Sequence, residues 1–187
     1  MPTHSLWLAI GVALALAEPS SEPSFLTHIS ETDWQRAKAA AESWLEFRKL
    51  GSSEKARCLN VMHGKCQSSG WAQSWQDWLL WRNYFATDNP HIHKGLYIDI
   101  GANHPTYLSN TAFFDKCLGW KGICVEPQKH YYSPLIRDRT CEVISTCISS
   151  TYEEIEYAEA GVQGGITRTN GAIQALPTGK KLSLIHI

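Results

Sequence analysis

The sequence predicts an α/β fold built on a parallel sheet, and three observations carry that expectation. From Leu96 onward, short apolar runs alternate with helix-forming stretches; the runs end in acids, glycine or proline; and 187 residues suffice for one core of ordinary size plus an extension. The runs are "LYIDI", "KGICVE" and "CEVISTCI", each expected as a strand, with Pro127 closing the second. Between them lie "TYLSNTAFFDKCL", a helix stopped by Gly119, and "KHYYSPLIRDR", a helix that Pro134 shortens or bends. Strand, helix, strand, helix, strand is the order of parallel construction with right-handed crossovers. Beyond Ser149, "EIEYAEA" is a further candidate strand and the glycine-rich "GVQGGITRTNG" reads as a loop.

Upstream, "ETDWQRAKAAAESWLEFRKLG" predicts a helix starting at Thr32 or Asp33, stopped by Gly51, and buried through Trp34, Ala37, Ala41, Trp44 and Leu45. A second helix is expected over "SGWAQSWQDWLLWRNYFA", where Trp71, Trp75, Trp78 and Trp81 recur at three- or four-residue spacing and would share a packing face. Residues 30–95 therefore read as a tryptophan-rich helical extension, carrying most of the eight tryptophans, and residues 96–187 as the sheet domain.

The first twenty residues hold an apolar run, Leu6 to Ala17, that is short for a bilayer and ends in Ala15, Leu16, Ala17. It reads as a secretory signal peptide, with an uncleaved anchor as the alternative, since no Lys or Arg precedes it; residues 21–29 read as a spacer. On this reading no membrane span is expected after cleavage, and the chain enters the secretory pathway, toward the lumen or the cell exterior. Six cysteines could then form disulfides, and Cys58 with Cys66 is the first pairing expected, across a short polar loop. His63 lies between them, and His91 with His93 forms an H-x-H pair, but no spacing completes a metal site. A composition of 43% hydrophobic residues is that of a globular chain, and a formal charge of −1 disfavours nucleic acid as a partner.

Ligands of open parallel sheets sit outside the carboxyl ends of the strands, where Asp99, Gly101, Ala102 and Asn103 fall. A dinucleotide fingerprint would place glycines at 101, 103 and 106; only Gly101 is present, with Asn103 and Thr106 at the other two, so a nicotinamide-dependent oxidoreductase is the weaker alternative. No G-K-[ST] follows to cradle a phosphate. Glu126, ending the next strand, can accept bonds from two ribose hydroxyls, while Asp99 lies toward the other end of such a ligand. A nucleoside without phosphate and with a cationic amino-acid tail suits this pair, which points to S-adenosyl-L-methionine. The structural alternative is an acid that caps turn amides and a glutamate that only closes a strand.

Several segments in order, "YIDIGAN", "SNT" at 109–111, "GWKGICVEP" at 119–127, "RDRTC" at 137–141 and the strand end at Cys147 to Ser149, resemble the amino-terminal half of the FkbM-type methyltransferase domain. "WQDWLLWRNYF" is similar to the segment leading into that domain. The resemblance implies part of a class I, Rossmann-like parallel sheet with helices on both faces. It also implies methyl transfer from S-adenosyl-L-methionine to a hydroxyl oxygen of a glycan or small molecule. Asp99, Gly101, Ala102 and Asn103 would then line the methionine side, Glu126 would hold the ribose, and Cys147 and Ile148 would lie by the adenine. His104 is the one candidate for a base that takes the hydroxyl proton, with a local turn role as its alternative. The family's acidic, glycine-containing acceptor-side segment has no counterpart before Ile187, so the chain is expected to hold the cofactor half. "KKLSLIHI" reads as either the next strand or non-native sequence. The rival function is a secreted or lumenal binding protein that keeps the scaffold without turnover.

Overall fold

A computed structural model describes residues 29–65, 70–86, 94–149, 154–158, 165–167 and 179–186, with backbone alone from residue 149 onward. The expected signal peptide, nearly all of the spacer, Cys66, His91 and His93 lie outside the described residues.

Helix α1 runs Glu31–Phe47, capped by Ser30, whose Oγ accepts from the Asp33 amide. Trp34, Ala37, Ala41 and Leu45 are buried along one stripe, and Trp44 lies at its edge. The helix ends at Phe47 rather than at Gly51, because Arg48 is drawn off in an extended conformation. Its guanidinium donates to the carbonyls of Lys116 and Asp115, while Trp44 Nε1 donates to that of Leu118. Trp44 of α1 and Arg48 just beyond it thereby satisfy carbonyls at the end of the helical crossover that follows the first strand. Gly51, expected as a stop, is instead the N-cap of α2, Ser52–Met62, a helix in a stretch that the sequence leaves unassigned.

The second expected helix begins later than its tryptophan spacing suggests. Helix α3 spans Gln76–Leu80 and continues into a π-helical turn, Trp81–Phe85. Before it, the chain folds back on Asp77, whose buried carboxylate accepts from the amides of Trp71, Ala72 and Trp78. Trp75 adopts φ 63° at the corner and is 42% exposed. The four indoles therefore do not share a face. Trp71 and Trp81 are buried, and Trp81 meets Trp34 and Phe113 edge-on at 6.0 and 5.9 Å.

Strands β1 (Leu96–Ile100), β2 (Lys121–Val125) and β3 (Glu142–Ile144) form a parallel sheet in that order, with Ile98 opposite Ile123 and Cys124 opposite Val143. This is an α/β arrangement with a Rossmann-like parallel sheet. Right-handed crossovers stepping twice in one direction place both connections on the same side. Tyr97 and Asp99 accordingly point into cover at 1% and 5% exposure, while Leu96, Ile98 and Ile100 on the other face are 40–50% exposed. Helices over both faces were expected; over β1, among the described residues, one face is covered.

The first crossover is also less helical than expected. Residues 104–111 form successive bends, and helix starts only at Ala112, passing into a π turn over Phe114–Leu118 that Gly119 closes at φ 75°. The second crossover is a 3-10 turn, Lys129–Tyr131, followed by α4, Tyr132–Asp138. "CEVISTCI" is two strands rather than one. The Thr146 amide turns back to the Ile144 carbonyl, and β4 (Cys147–Ser149) joins a second sheet of order β4-β7-β5-β6. There β7 (Gly179–His186) runs parallel to β4 and antiparallel to β5 (Glu154–Ala158), which pairs with β6 (Gly165–Thr167). "KKLSLIH" is thus strand, Ile187 lying outside the described residues, and the glycine-rich loop contains a short one.

Among the described residues two disulfides fasten the layers, and Cys58 is bonded elsewhere than to Cys66. Cys58 of α2 bonds Cys117 of the first crossover, and Cys124 of β2 bonds Cys141 just ahead of β3. Both sulfurs of Cys58–Cys117 sit inside the core that joins α1 and α2 to the sheet domain, so this long-range bridge wins over the short loop. The pair of bridges points to an oxidising compartment. Among the described residues, no helix is long and apolar enough to cross a membrane.

Candidate functional site at the carboxyl end of the parallel sheet

Where β1 ends, the chain makes a tight turn. Gly101, at φ 72°, and Ala102 both donate their amides to the Val125 carbonyl at 2.8 and 3.1 Å, curling the turn over the end of β2. Asn103 follows at φ 50°, a left-handed conformation that asparagine tolerates better than most residues. A Cβ at Gly101 would meet no atom within 4 Å, so the turn backbone faces open space.

Glu126 locks this turn to the second strand end. One carboxylate oxygen accepts the Asn103 amide and the other the Gln128 amide, each at 2.7 Å, and the Gln128 carboxamide donates to Asn103 Oδ1 at 3.3 Å. Its own amide donates to the Ile144 carbonyl at 3.0 Å, which brings the ends of all three strands together. Glu126 is fully buried. Burial raises its pKa above the ordinary value, opposed by the hydrogen bonds from the Gln128 and Asn103 amides.

Asp99 lies beneath the turn rather than in its opening. Thr111 donates its hydroxyl to Asp99 Oδ2, and the Arg139 guanidinium stands 3.9 Å away. Burial raises the Asp99 pKa, with Arg139 and the Thr111 bond working against it. Cys147 is nearly buried and Ile148 partly so. The Cys147 thiol is pushed up to about 11 by burial and then by the charge of Glu126, and the preceding Thr146 amide shares the Ile144 carbonyl with the amide of Glu126. The structure thus gathers Gly101, Ala102, Asn103, Glu126 and Cys147 around the strand ends, with Ile148 following Cys147 into β4.

His104 is occupied locally. Its Nδ1 accepts the amides of Thr106 and Tyr107 at 3.1 and 2.9 Å, and its ring meets Tyr107 and Tyr131 edge-on. A nitrogen facing two N–H donors has no lone pair left to take a substrate proton, and the neutral ring then carries its hydrogen on Nε2.

Arg139, Asp115, Tyr97 and Gln128 hold this region, and none was singled out from the sequence. Arg139 lies in the "RDRTC" run, but only the packing shows that its side chain is fully enclosed. Asp115 accepts from Arg139 Nε at 2.9 Å, from the Thr140 amide at 2.9 Å and from the Tyr97 hydroxyl at 2.5 Å. A charged residue ahead of a strand carries no signal of burial when read alone.

Comparison of the chain with protein-family models, with curated proteins and with solved structures gives no match.

Proposed function

We propose that the chain carries the donor site of an S-adenosyl-L-methionine-dependent methyltransferase acting on a hydroxyl of a glycan or small molecule in the secretory pathway. The observation that carries this reading is the β1 turn. It opens onto free space at Gly101, lies at the carboxyl end of a parallel sheet, and is tied to an acid at the end of the neighbouring strand.

The residues fit that cofactor. Gly101 lets a ligand approach the backbone without meeting a side chain. Glu126 accepts the Asn103 and Gln128 amides, one on each oxygen, and a further bond from the Gln128 side chain, so two ribose hydroxyls would have to share what is left of about four acceptor positions, with the Gln128 side chain giving way to them. Because Glu126 is closed from solvent, its cover must part to admit them. Cys147 and Ile148 would supply an apolar edge for the base, and Asn103 the polar rim. Asp99 would act from below, holding the turn through Thr111 while biasing the methionine end toward positive charge.

The cofactor, when bound, supplies a methyl group already activated by a sulfonium. The chain's own task is then orientation and exclusion of water, for which a turn fixed by five hydrogen bonds is suited. The geometry of His104 does not favour it as the base, and no other group is assigned that role. The secretory location rests on the two disulfides together with the apolar amino-terminal run.

A second reading, a binding protein on the same scaffold, is favoured by one observation: both acids are buried and bonded within the chain. Calorimetric titration with S-adenosyl-L-methionine tests the first reading, which fails if no binding is detected. A chain that binds the donor yet methylates no hydroxyl acceptor in a glycan and small-molecule panel supports the second.

A further inference from the structure

The bends of residues 104–111 are not helical, and they follow directly on the β1 turn. Their polar groups converge on a single side chain. Arg139, whose side chain is fully enclosed, donates through Nη1 to the Pro105 carbonyl and to Ser109 Oγ, both at 3.1 Å, and through Nη2 to Thr111 Oγ1 at 2.6 Å. Its Nε is fixed on Asp115 at 2.9 Å, and its guanidinium lies over the Tyr97 ring at 5.3 Å. Thr111 passes the contact on to Asp99, two residues before Gly101. The segment is wound tightly enough to need Leu108 at φ 56°, a conformation that a leucine adopts only when its surroundings enforce it.

We propose that Arg139 is a positioning residue for the donor site: it fastens residues 105–111 against the sheet and, through Thr111 and Asp99, fixes the turn that a ligand meets. The inference rests on the donor-site reading above. The fork geometry matters more than the charge. Three acceptors on the segment and one carboxylate on the crossover helix are reached from one planar group, and a lysine ammonium, a point donor with three hydrogens, cannot span them. Asp115 anchors the guanidinium from the opposite side, reinforced by the Thr140 amide, so the fastening is built between the two crossovers rather than within either.

The test uses the full chain with Arg139→Lys, and with Ser109→Ala as a milder variant that leaves the Arg139–Asp115 pair in place. Hydrogen exchange of the amides in 105–111 is measured together with S-adenosylhomocysteine affinity, well below the melting temperature and with both disulfides confirmed intact. Expected for Arg139→Lys is exchange faster by at least about tenfold in that segment and affinity weaker by at least about tenfold, with smaller changes in the same direction for Ser109→Ala. If both variants lower only the melting temperature, leaving segment exchange and affinity at wild-type values, Arg139 is a core residue and the proposal is overturned. If Arg139→Lys does not fold, Ser109→Ala alone decides by the same two readouts. Absence of binding by the wild-type chain would overturn the donor-site reading instead, and exchange in 105–111 would still decide whether Arg139 fastens the segment.

Discussion

Replacing Glu126 with alanine removes the acceptor of two amides at once, those of Asn103 and Gln128. A buried donor left without a partner costs about 1–3 kcal/mol, so the two together cost about 2–6 kcal/mol. Part of this is offset, because the carboxylate is itself held in the fold against a desolvation cost, the first cause of its raised pKa. A net loss of about 2 kcal/mol is expected, and with a urea slope of about 2 kcal/mol/M the unfolding midpoint falls by about 1 M. Glu126→Gln offers one accepting oxygen and turns an N–H donor toward the other amide, so it should fall between alanine and wild type. Urea melts of the three proteins give the stabilities, and calorimetry the donor affinity, which should weaken more than about tenfold for alanine as two ribose hydroxyls lose their acceptor. A midpoint within about 0.2 M of wild type for Glu126→Ala would refute the turn-locking argument. Unchanged affinity would remove Glu126 from the site.

Three further outcomes follow from the geometry. Cys58→Ala with Cys117→Ala opens a link spanning 59 residues, and chain entropy sets its loss at about 4 kcal/mol, against about 3 kcal/mol for the 17-residue link Cys124–Cys141. Chemical denaturation should rank the two in that order, and the reverse would show that the first link carries little of the docking of α2. Asp77, Asp99 and Glu126 all have raised folded pKa values from burial, so the native state holds more protons than the unfolded chain above about pH 4. The stability they contribute is fully present below their ordinary values of 3.8 and 4.5 and is lost as pH rises through the folded values, so the urea midpoint should be higher at pH 5 than at pH 7. A lower midpoint at pH 5 would contradict that sign. Gly101→Ala meets no steric neighbour but must hold φ 72°, costing about 1 kcal/mol in a thermal melt, while its methyl group intrudes on ligand space and should reduce donor affinity by a larger factor.

The parts of the fold written in local pattern were legible. Leu96–Ile100 and Lys121–Val125 announce themselves as short apolar runs closed by Gly101 and Pro127, and the helical side of Trp34, Ala37, Ala41 and Leu45 follows from spacing alone. What escaped depends on partners distant in sequence. Residues 106–111 look helical until Arg139, some thirty residues on, gathers the Pro105 carbonyl and the Ser109 and Thr111 hydroxyls onto one guanidinium. The tryptophan series is broken by Asp77, whose carboxylate gathers the amides of Trp71 and Ala72 into a turn that indole spacing does not reveal. The Cys58–Cys117 bridge is a product of α2 docking, and α2 itself has a weakly apolar sequence in which only Cys58, Val61 and Met62 are buried. At the candidate site, the positions of Asp99 and Glu126 at successive strand ends were readable. Their inward bonding to Thr111, Asn103 and Gln128 was not, since nothing in a one-dimensional pattern says which way a carboxylate turns.

The central claim is that the turn after β1 receives the adenosyl donor, and hydrogen exchange of the full chain with and without saturating S-adenosylhomocysteine tests it most directly. The account predicts protection concentrated in the peptides covering Asp99 to Asn103, Glu126 to Gln128, and Cys147 to Ile148. Binding accompanied by protection elsewhere, with these three stretches unchanged, would contradict it.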